Sequence, residues 1–467
     1  MHYQAIVEFM NQQAARRTKW RERNWYYYED LVSFLQYNVP QNSRVLEIGC
    51  GDGYLLHQLQ PMYGVGIDIA PAMIEQAQQK YPDLHFFVMD VEQLKLQETF
   101  DYIILSDTIG YFYDVQKVLN NLRSVSHSGT RVLITYQNFL WSPLLQLVEL
   151  LHLKMPSKKL NWLNVGDLVN LLNLENFEVV KSGHRLLLPW YIPFLSKFMN
   201  KYLAHLPLLN QLCLTSFVIA RPCIPTQEYS VSVIIPARNE RGNIEQAVQR
   251  IPHLGKHTEI IFVEGHSNDN TLTEIQRVCQ NYADKLDIKY AVQDGKGKGD
   301  AVRKGFAMAH GDILMILDAD LTVRPEDLPK FYQAIASGKG EFINGCRLVY
   351  PMEKEAMRIL NMIANRFFSV TFSWLLGQRI KDTLCGTKVI CKKAYEQLAS
   401  NRAFFGDFDP FGDFDLLFGA AKLNLKIVEL PIRYQARVYG STNISRFRHG
   451  FILLKMVLFA MNKIKFI

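Results

Sequence analysis

The sequence predicts an α/β fold with two domains, each built on a mostly parallel sheet with helices on both faces. The chain has 467 residues, which is too long for one ordinary core. Short apolar runs typical of buried strands alternate with amphipathic helical segments in both halves. Several of these runs end on acidic residues or glycines, where parallel sheets bind ligands. We expect one domain over residues 1–222, a linker over 223–229 and a second domain over 230–467.

The composition indicates a globular protein and excludes several other classes. Apolar residues make up 48% and charged residues 21%, as in ordinary folded domains. The seven cysteines include no CxxC pair, which argues against a disulfide scaffold or a cysteine zinc site and favours a reducing cytoplasm. Residues 1–20 lack the apolar centre of a signal peptide, and no apolar run is long enough to span a bilayer. The net charge of +7 suits phosphorylated ligands or an anionic membrane surface, and the lack of a nucleic-acid-binding motif predicts no nucleic acid partner.

A strand followed by a glycine-rich turn opens the first domain. Residues 44–48 form the predicted strand, and the turn over residues 49–53 leads into an amphipathic helix. This order starts a nucleotide-binding unit, because glycines let the backbone turn sharply and approach a ligand closely. Later predicted strands end on Asp68, Asp90 and Asp107. An acid after the second strand can accept hydrogen bonds from ribose hydroxyls.

Three motifs in order, VLEIGCGDG at 45–53, GIDIA at 66–70 and MDVEQL at 89–94, carry a family resemblance. They resemble the class I S-adenosylmethionine-dependent methyltransferases. The resemblance implies a Rossmann-like domain with S-adenosylmethionine as its cofactor. The resemblance also implies that the methionine part of the cofactor is surrounded by Glu47, Gly49, Gly51 and Gly53. The implied contacts of the nucleoside part are Asp68 at the ribose, Ile69 beside the adenine, and Asp90 with Val91 at the adenine edge.

Two segments of the first domain have roles that the sequence leaves open. Residues 3–38 are predicted to be helical, with a basic stretch before an aromatic cluster. They either pack as a lid with solvated charges, which is favoured, or bind an acidic substrate. The apolar segment over residues 187–196 either closes the acceptor pocket as core or faces lipid. Packing is favoured here too, because Pro189 and Pro193 interrupt the segment as a helix.

The second domain is centred on an apolar strand, residues 313–317, that ends on Asp318 and Asp320. Two carboxylates at an apolar strand end are costly unless something compensates them, and a solvated junction is the alternative interpretation. Mg²⁺ or Mn²⁺ is the natural compensation, because both ions prefer oxygen ligands and bring phosphate oxygens with them. A glycine-lysine loop over residues 294–300 opens the preceding helix and either binds a phosphate or is a flexible surface loop.

Six motifs follow one another in this half, namely VSVIIPARNE at 231–240, EIIFVEGHSNDNT at 259–271, GKGDAVRKG at 297–305, LDADLTVRPEDL at 317–328, DTLCGTK at 382–388 and LPIRYQARVYGSTNIS at 430–445. Together they resemble the family 2 glycosyltransferases of the A-type fold, and in particular the dolichol-phosphate mannosyltransferase-like branch. The resemblance and the glycine-lysine loop together indicate the residues that bind the nucleotide sugar, which are Pro236, Ala237, Arg238, Glu240, Glu264, Lys298, Asp318, Arg347, Arg437 and Ser441. Asp318 and Asp320 are the implied metal ligands.

The sequence departs from this family at a few positions. Glu264 and Gly265 stand where a pair of aspartates is usual, and His266 stands where glycine is common. Thr322 replaces a glutamine that helps to bind metal, and Asn443 replaces a lysine. The donor and the acceptor therefore stay open, while the reaction class is unaffected.

The predicted activity is metal-dependent, inverting transfer of a sugar from a nucleotide sugar to a lipid-phosphate or glycan acceptor. A hydroxyl acceptor needs a general base, for which Asp413 and Asp415 are the candidates, whereas an ionised lipid phosphate needs none. Methylation dependent on S-adenosylmethionine would be the second activity. The expected setting is glycolipid or surface polysaccharide biosynthesis in the cytoplasm or on the inner face of the membrane.

Several alternatives remain at this stage. The methyltransferase could act on an unrelated small molecule, or the chain could be a non-catalytic, ligand-binding scaffold of a membrane complex. Residues 361–376 and 447–467 are apolar with basic interruptions. Each is either an interfacial helix, which would make the membrane surface a partner, or a helix packed on the sheet.

Overall fold

The computed structural model of the chain describes residues 2–158, 161, 163–350, 359–404, 412–437, 439 and 446–466. These residues form two compact units, one within residues 1–223 and the other within residues 224–465. Each unit contains a mostly parallel sheet with core side chains on both faces, so the predicted α/β class is confirmed. The finer domain limits at 222 and 230 stay a prediction.

The first unit contains the strands β1 (Arg44–Ile48), β2 (Tyr63–Asp68), β3 (His85–Val88), β4 (Phe100–Ser106), β5 (Ser126–Gln137), β6 (Phe177–Arg185) and β7 (Thr215–Pro222). Within the described residues they form one sheet in the order β3-β2-β1-β4-β5-β7-β6. Strands β1 to β5 pair in parallel, whereas β7 runs antiparallel to β5 and β6.

The helices described in this unit are α1 (His2–Ala14), α2 (Arg17–Arg23), α3 (Trp25–Asn38), α4 (Tyr54–Leu59), α5 (Pro71–Lys80), α6 (Val115–Leu122), α7 (Ser142–Leu150), α8 (Val165–Leu174), α9 (Leu195–Lys201) and α10 (Pro207–Asn210). The side chains of β1 alternate between the two faces of the sheet. Leu46 and Ile48 join the core on one face, and Val45 joins the core on the other. Both faces are therefore covered, and the carboxyl ends of the parallel strands are left at one edge for ligands.

The second unit contains the strands β8 (Val231–Ala237), β9 (Thr258–Glu264), β10 (Asp287–Val292), β11 (Ile313–Ile316), β12 (Phe342–Cys346), β13 (Lys388–Cys391) and β14 (Ile427–Pro431). Their order in the described residues is β10-β9-β8-β11-β13-β12-β14. Strand β13 is antiparallel to both of its neighbours, and the other pairs are parallel. The predicted strand before Asp318 ends one residue earlier than expected, at Ile316.

The helices described in this unit are α11 (Ile244–Arg250), α12 (Thr271–Tyr282), α13 (Lys298–Met308), α14 (Leu328–Ala336), α15 (Ile359–Leu376), α16 (Lys392–Ser400), α17 (Asp413–Lys422) and α18 (Arg446–Ala460). A π-helical turn over Met461–Lys465 follows α18. The strands again place side chains in two separate cores, with Ile234 on one face of the sheet and Val233 on the other.

Helices α15 and α18 hold the two apolar segments for which packing and membrane contact were both open. Phe372 in α15 and Met456 in α18 are buried in the core of the unit. Phe367 in α15 and Leu458 in α18 are 53% and 59% exposed. Each helix therefore packs on one side and keeps apolar side chains on its outer side. Among the described helices, none is both long enough and apolar enough to cross a bilayer.

Candidate active sites

A cavity of about 950 Å³ opens at the carboxyl edge of the first sheet. Its described lining includes most of the predicted cofactor residues, namely Gly49, Gly51, Asp68, Ile69, Asp90 and Val91. Glu47 and Gly53 lie outside this lining. The sequence motifs therefore identify the cavity, and the structure separates residues that face it from residues that shape it.

The glycine turn after β1 has a backbone that other residues rarely adopt. Gly49, Gly51 and Gly53 have positive φ angles of +71°, +54° and +76°. A Cβ at Gly49 would lie 2.5 Å from the side chain of Thr108, and one at Gly53 would lie 2.6 Å from Phe86. The glycines are therefore needed for conformation and for space, and they keep the turn narrow beside the cavity.

Asp68 at the end of β2 holds this turn in place. Its Oδ2 accepts a 2.9 Å hydrogen bond from the Gly51 amide, and its Oδ1 accepts one of 2.9 Å from the Ala70 amide. Burial raises the pKa of Asp68, and the two amides oppose that rise. Asp90 after β3 is arranged alike, since its Oδ1 accepts a 2.9 Å bond from the Glu92 amide. Both carboxylates keep acceptor capacity toward the cavity, as ribose or base recognition requires.

Glu47 is buried beside the turn and supports it from behind. Its side chain is 2% exposed, and Oε2 accepts a 3.1 Å hydrogen bond from the Leu56 amide in α4. Burial raises the pKa of Glu47 to about 8, although the Leu56 amide and Arg17 lower it. The carboxyl group thus ties α4 to β1, and its direct contact with a cofactor stays a prediction.

Arg17 in α2 is a cavity residue that the motifs do not reveal. A Cβ at Gly51 would lie 3.2 Å from Arg17 Nε, so the guanidinium group lies over the glycine turn. Arg17 also lines the cavity, where a cation suits a carboxylate ligand. The basic stretch over residues 16–23 is the sequence feature that could have indicated this role of Arg17.

Asp107 and Tyr27 form a second pair that the motifs do not reveal. The Tyr27 hydroxyl donates a 2.5 Å hydrogen bond to Asp107 Oδ2. Asp107 Oδ1 is buried and has no hydrogen-bond partner among the described residues. Both residues line the cavity, and Asp107 follows β4 with a positive φ of 53°. A carboxylate held in this way can accept a proton from a substrate in the cavity.

The apolar segment over residues 187–196 is largely exposed, so the favoured prediction that it packs as core is wrong. Trp190, Ile192 and Phe194 are 48%, 45% and 90% exposed. The physical reason lies in the buried Ser196, whose hydroxyl donates to the Trp190 carbonyl at 2.6 Å and accepts from the Ile192 amide at 2.7 Å. These bonds hold the loop backbone against the protein and leave its apolar side chains outside.

A second cavity, of about 640 Å³, lies at the carboxyl edge of the second sheet. The predicted residues in its described lining are Pro236, Ala237, Arg238, Glu240, Lys298, Asp318, Asp320, Arg347, Asp413 and Arg437. Glu264 and Asp415 lie outside this lining, and Ser441 lies outside the described residues. Side chains from distant parts of the sequence therefore meet in one place.

The two predicted metal ligands each face a cation. Lys298 Nζ lies 2.5 Å from Asp318 Oδ1. Burial raises the pKa of Asp318, but Lys298, Lys388 and Arg347 together bring it below its ordinary value. Arg437 Nη2 lies 2.7 Å from Asp320 Oδ2. The Thr322 hydroxyl donates a 2.7 Å bond to Asp320 Oδ1, which gives this departure from the family a local role.

Arg437 joins Asp320 to the loop after β8. Its Nη1 lies 3.2 Å from Glu240 Oε1, while Asn243 Nδ2 donates a 2.7 Å bond to Glu240 Oε2. Burial raises the pKa of Glu240 to about 7, although Arg437 lowers it. Arg437 is thus the cation that holds two carboxylates of the cavity wall together.

Arg347 is fixed by a forked pair of hydrogen bonds. Its Nε and Nη2 donate to Asp382 Oδ2 and Oδ1, each at 2.8 Å. Its guanidinium carbon also lies 5.3 Å from the ring centre of Tyr434. A guanidinium group held in this way presents a fixed positive charge to the cavity.

Glu264 caps the loop after β9 and is not in the cavity lining. Its carboxylate accepts hydrogen bonds of 3.1 Å from the His266 amide and 2.6 Å from the Ser267 amide. His266 has a positive φ of 56°, which explains why glycine is common at this position. The departure from the family pattern therefore preserves the shape of the loop, and base recognition by Glu264 stays a prediction.

The two candidate bases are both paired with cations. Lys388 Nζ lies 2.8 Å from Asp413 Oδ1, and both side chains are nearly fully buried. Arg402 Nε lies 2.9 Å from Asp415 Oδ2. The structure thus brings Asp413 to the cavity and engages it in an ion pair.

Two family models match separate parts of the chain. The model of a methyltransferase domain matches residues 19–182, and the model of glycosyl transferase family 2 matches residues 232–399. The chain joins a methyltransferase domain to a family 2 glycosyltransferase domain. Metal, donor and acceptor are not specified by either match.

Individual relatives are similar to part of the chain. Dolichol-phosphate mannosyltransferase of Pyrococcus furiosus is 30% identical in an alignment of length 236 that covers 48% of this chain and 64% of that relative. Malonyl-[acyl-carrier protein] O-methyltransferase of Bacillus anthracis is 36% identical over 93 residues, 19% of this chain and 35% of the relative. The chain thus spans less than two thirds of either relative. A crystal structure of glucosyl-3-phosphoglycerate synthase from Mycobacterium tuberculosis with uridine diphosphate matches at 17% identity with a TM-score of 0.38, covering 50% of this chain and 80% of that one.

The residues of both cavities fit the cofactors expected for such domains. In the glycosyltransferase domain, Asp318 and Asp320 offer carboxylate oxygens, which Mg²⁺ and Mn²⁺ prefer. The described residues contain no group of three or more His, Cys, Asp or Glu side chains that could hold a metal ion. The protein would therefore supply these two ligands and leave other positions to diphosphate oxygens and water. In the methyltransferase domain, Asp68 and Arg17 offer an acceptor and a cation beside the glycine turn, as S-adenosylmethionine requires.

The buried Glu47 leads to a prediction about stability and pH. Its folded pKa of about 8 lies above the ordinary value of 4.5. The protonated carboxyl therefore stabilises the fold fully below the ordinary pKa, and this contribution is lost as the pH rises through about 8. Glutamine stays neutral, so Glu47→Gln should unfold at a higher temperature than the wild type at about pH 9 and at a similar temperature at about pH 5.

The matched control is Glu75→Gln, on the exposed side of α5. Thermal unfolding followed by circular dichroism should show the wild-type pH dependence in this control. Equal loss of stability with rising pH in Glu47→Gln and the wild type would contradict the assignment.

Proposed function

We propose that the second domain transfers a sugar from a nucleoside diphosphate sugar to an acceptor, with inversion and with the help of Mg²⁺ or Mn²⁺. The observation that carries this proposal is the pair Asp318 and Asp320 at one strand end, each facing a cation in the same cavity. Breaking the sugar–phosphate bond leaves negative charge on a nucleoside diphosphate. The cavity provides carboxylates for a divalent ion and cations for phosphate oxygens, as this leaving group requires.

The cations of the cavity would each contact a different part of the nucleotide sugar. Lys298 stands at the start of α13, where an ammonium group and the helix end both favour phosphate. Arg347 and Arg437 approach from other segments, and Arg347 is held rigidly by Asp382. When bound, the metal ion neutralises charge on the diphosphate. Arg238 is exposed at the cavity and would contact the nucleotide with Pro236 and Ala237.

The acceptor that these ion pairs favour is an ionised phosphate, as a lipid phosphate would provide. A general base must be free to take a proton, but Asp413 is ion-paired with Lys388 and Asp415 with Arg402. Proton uptake by Asp413 would cost a buried ion pair. An ionised phosphate needs no base, so it can react with the sugar while both ion pairs stay in place. A glycan hydroxyl is the second candidate acceptor. Asp413 would then have to leave Lys388 and accept a hydrogen bond from that hydroxyl.

Asp320→Asn should abolish metal-dependent turnover while the fold is kept. The amide lacks the charge that a divalent ion needs, so Mn²⁺-dependent hydrolysis of a nucleotide sugar should fall about 100-fold or more. The measurement is nucleoside diphosphate release from a panel of nucleotide sugars, with thermal unfolding as the check on the fold.

A control of the same chemistry is Asp327→Asn, because Asp327 is also largely buried but lies outside the cavity lining, 3.1 Å from Arg324. This variant should keep wild-type turnover. Near wild-type turnover in Asp320→Asn would reject the metal assignment. Failure of the wild-type protein to bind any nucleotide sugar would instead support a non-catalytic scaffold.

We infer that the first domain transfers a methyl group to an acceptor whose proton passes to Asp107. Bound S-adenosylmethionine would supply the methyl group, whose bond to the sulfonium sulfur breaks and leaves S-adenosylhomocysteine. Gly49, Gly51 and Asp68 shape its side of the cavity, and Arg17 would pair with its carboxylate. Asp107 Oδ1 takes the proton of an acceptor hydroxyl or amine as the acceptor bonds to the methyl carbon, while Tyr27 steadies Oδ2.

Asp107→Asn should lower methyl transfer about 100-fold or more, because the amide cannot accept the proton. The dissociation constant of S-adenosylmethionine should stay close to the wild-type value, as measured by calorimetry. The assay follows labelled methyl groups from S-adenosylmethionine into cell extracts, as a function of pH. The exposed Asp83→Asn variant is the control. A rate and pH profile equal to the wild type in Asp107→Asn would reject this role.

The two activities together suggest glycolipid or surface polysaccharide biosynthesis on the inner face of a membrane. Support comes from the outer sides of α15 and α18, where Phe367, Val370 and Leu458 are exposed. Lys455 and Lys463 lie close to these apolar side chains in sequence, as in helices that bind anionic membrane surfaces.

A further inference from the structure

The cavity of the methyltransferase domain opens beside a large exposed apolar surface, which we call the apolar rim. It consists of α7 and the loop over residues 190–195. In α7, Leu144, Leu147 and Leu150 are 38%, 50% and 75% exposed, and the helix has no buried residue. In the loop, Trp190, Ile192 and Phe194 are exposed. Exposed apolar surfaces of this extent mark binding sites for proteins, ligands or membranes.

The two parts of the apolar rim belong to one surface and reach the cavity. The rings of Trp141 and Trp190 lie 6.2 Å apart, which joins the start of α7 to the loop. Trp141, Leu144 and Trp190 also line the cavity that contains Asp68 and Asp107. A molecule entering from the rim would therefore meet the predicted cofactor residues and the proton acceptor Asp107.

The charges around the apolar rim favour an anionic partner. Residues 186–212 contain Lys197 and Lys201 and no aspartate or glutamate. Lys197 and Lys201 are exposed. Glu149 in α7 is neutralised by Lys154 at 2.8 Å. Apolar and aromatic side chains flanked by lysines are the combination that binds an anionic bilayer surface.

We propose that the apolar rim docks on an anionic phospholipid bilayer, and that the cavity takes a methyl acceptor anchored in that bilayer. The acceptor is then an amphiphile whose polar hydroxyl or amine reaches Asp107 while its apolar part stays at the rim. The identity of the acceptor rests on the proposed methyltransferase function, whereas docking does not. The residues of the apolar rim belong to the first unit, whereas α15 and α18 belong to the second.

The first test is flotation of the full chain with vesicles of phosphatidylglycerol and phosphatidylcholine, compared with phosphatidylcholine alone. The wild type should bind the anionic vesicles more strongly. Phe194→Glu and Leu150→Glu should each weaken binding about tenfold, because each removes an apolar contact and adds a repelled charge. Both residues lie outside the cavity lining and are exposed at 90% and 75%, so the fold should not change.

Met62→Glu is the matched control, since Met62 is 68% exposed just before β2, at the opposite edge of the parallel sheet from the cavity. It should bind vesicles as the wild type does. Equal vesicle binding by the rim variants and the control would overturn docking. A dimer in sedimentation that the rim variants abolish, without vesicle binding, would also overturn it and identify a second copy as the occupant.

The second test concerns the acceptor. Labelled methyl groups from S-adenosylmethionine should enter chloroform-soluble lipids of a cell extract, and the rim variants should lower that rate while binding S-adenosylmethionine normally in calorimetry. Label confined to water-soluble products would overturn the acceptor class. Failure of the wild type to bind S-adenosylmethionine would reject the proposed methyltransferase function separately, with the vesicle result unaffected.

Discussion

The ion pair between Lys298 and Asp318 is the interaction on which the second cavity depends. A Cβ at Gly386 would overlap both partners, so the segment before β13 must be glycine there for the pair to form. A Cβ at Gly299 would lie 3.0 Å from the Gly412 backbone, so the start of α13 and the start of α17 also meet closely. This approach brings Asp413 to the cavity. The small residues of the motifs therefore serve packing as much as ligand contact.

In the first cavity, too, carboxylates at strand ends are compensated by other groups, but these groups are backbone amides and not cations. Asp68 accepts hydrogen bonds from Gly51 and Ala70, so one carboxylate fixes both the glycine turn and the start of α5. Glu47 fixes α4 from the buried side. Carboxylates at the ends of parallel strands are costly to bury, and each unit compensates them with donors from other segments of the chain. The acceptor capacity that remains on Asp68 is available to a ligand.

The fold could be predicted from sequence because strand periodicity and glycine-rich turns are local signals. Much of both cavity linings was instead implied by the resemblance to the two families. The α/β class was predicted from the local signals, and Asp318 and Asp320 indeed share one cavity with Arg437. Pairings between distant segments leave no local signal. The bond from Tyr27 to Asp107 and the placement of Arg17 over Gly51 depend on how the N-terminal helices pack.

The exposed loop over residues 190–195 shows that burial is also hard to predict from sequence. Its apolar composition fits both core packing and lipid contact, and its two prolines favour packing, but one buried serine, Ser196, orients the backbone so that the side chains face outward. Hydrophobicity alone does not separate a core segment from a surface that awaits a partner. The distinction depends on backbone hydrogen bonds that a sequence pattern does not encode.

Arg437 shows how long a segment of the chain is needed to build the second cavity. The family match ends at residue 399, and β14 completes the sheet at Pro431, yet Arg437 lies beyond both. This side chain holds Asp320 and Glu240 together from 2.7 Å and 3.2 Å. A transplant limited to residues 232–399 would carry Asp320 and Glu240 without the cation that pairs with both. The structural unit that builds this cavity is therefore longer than the segment that the family model matches.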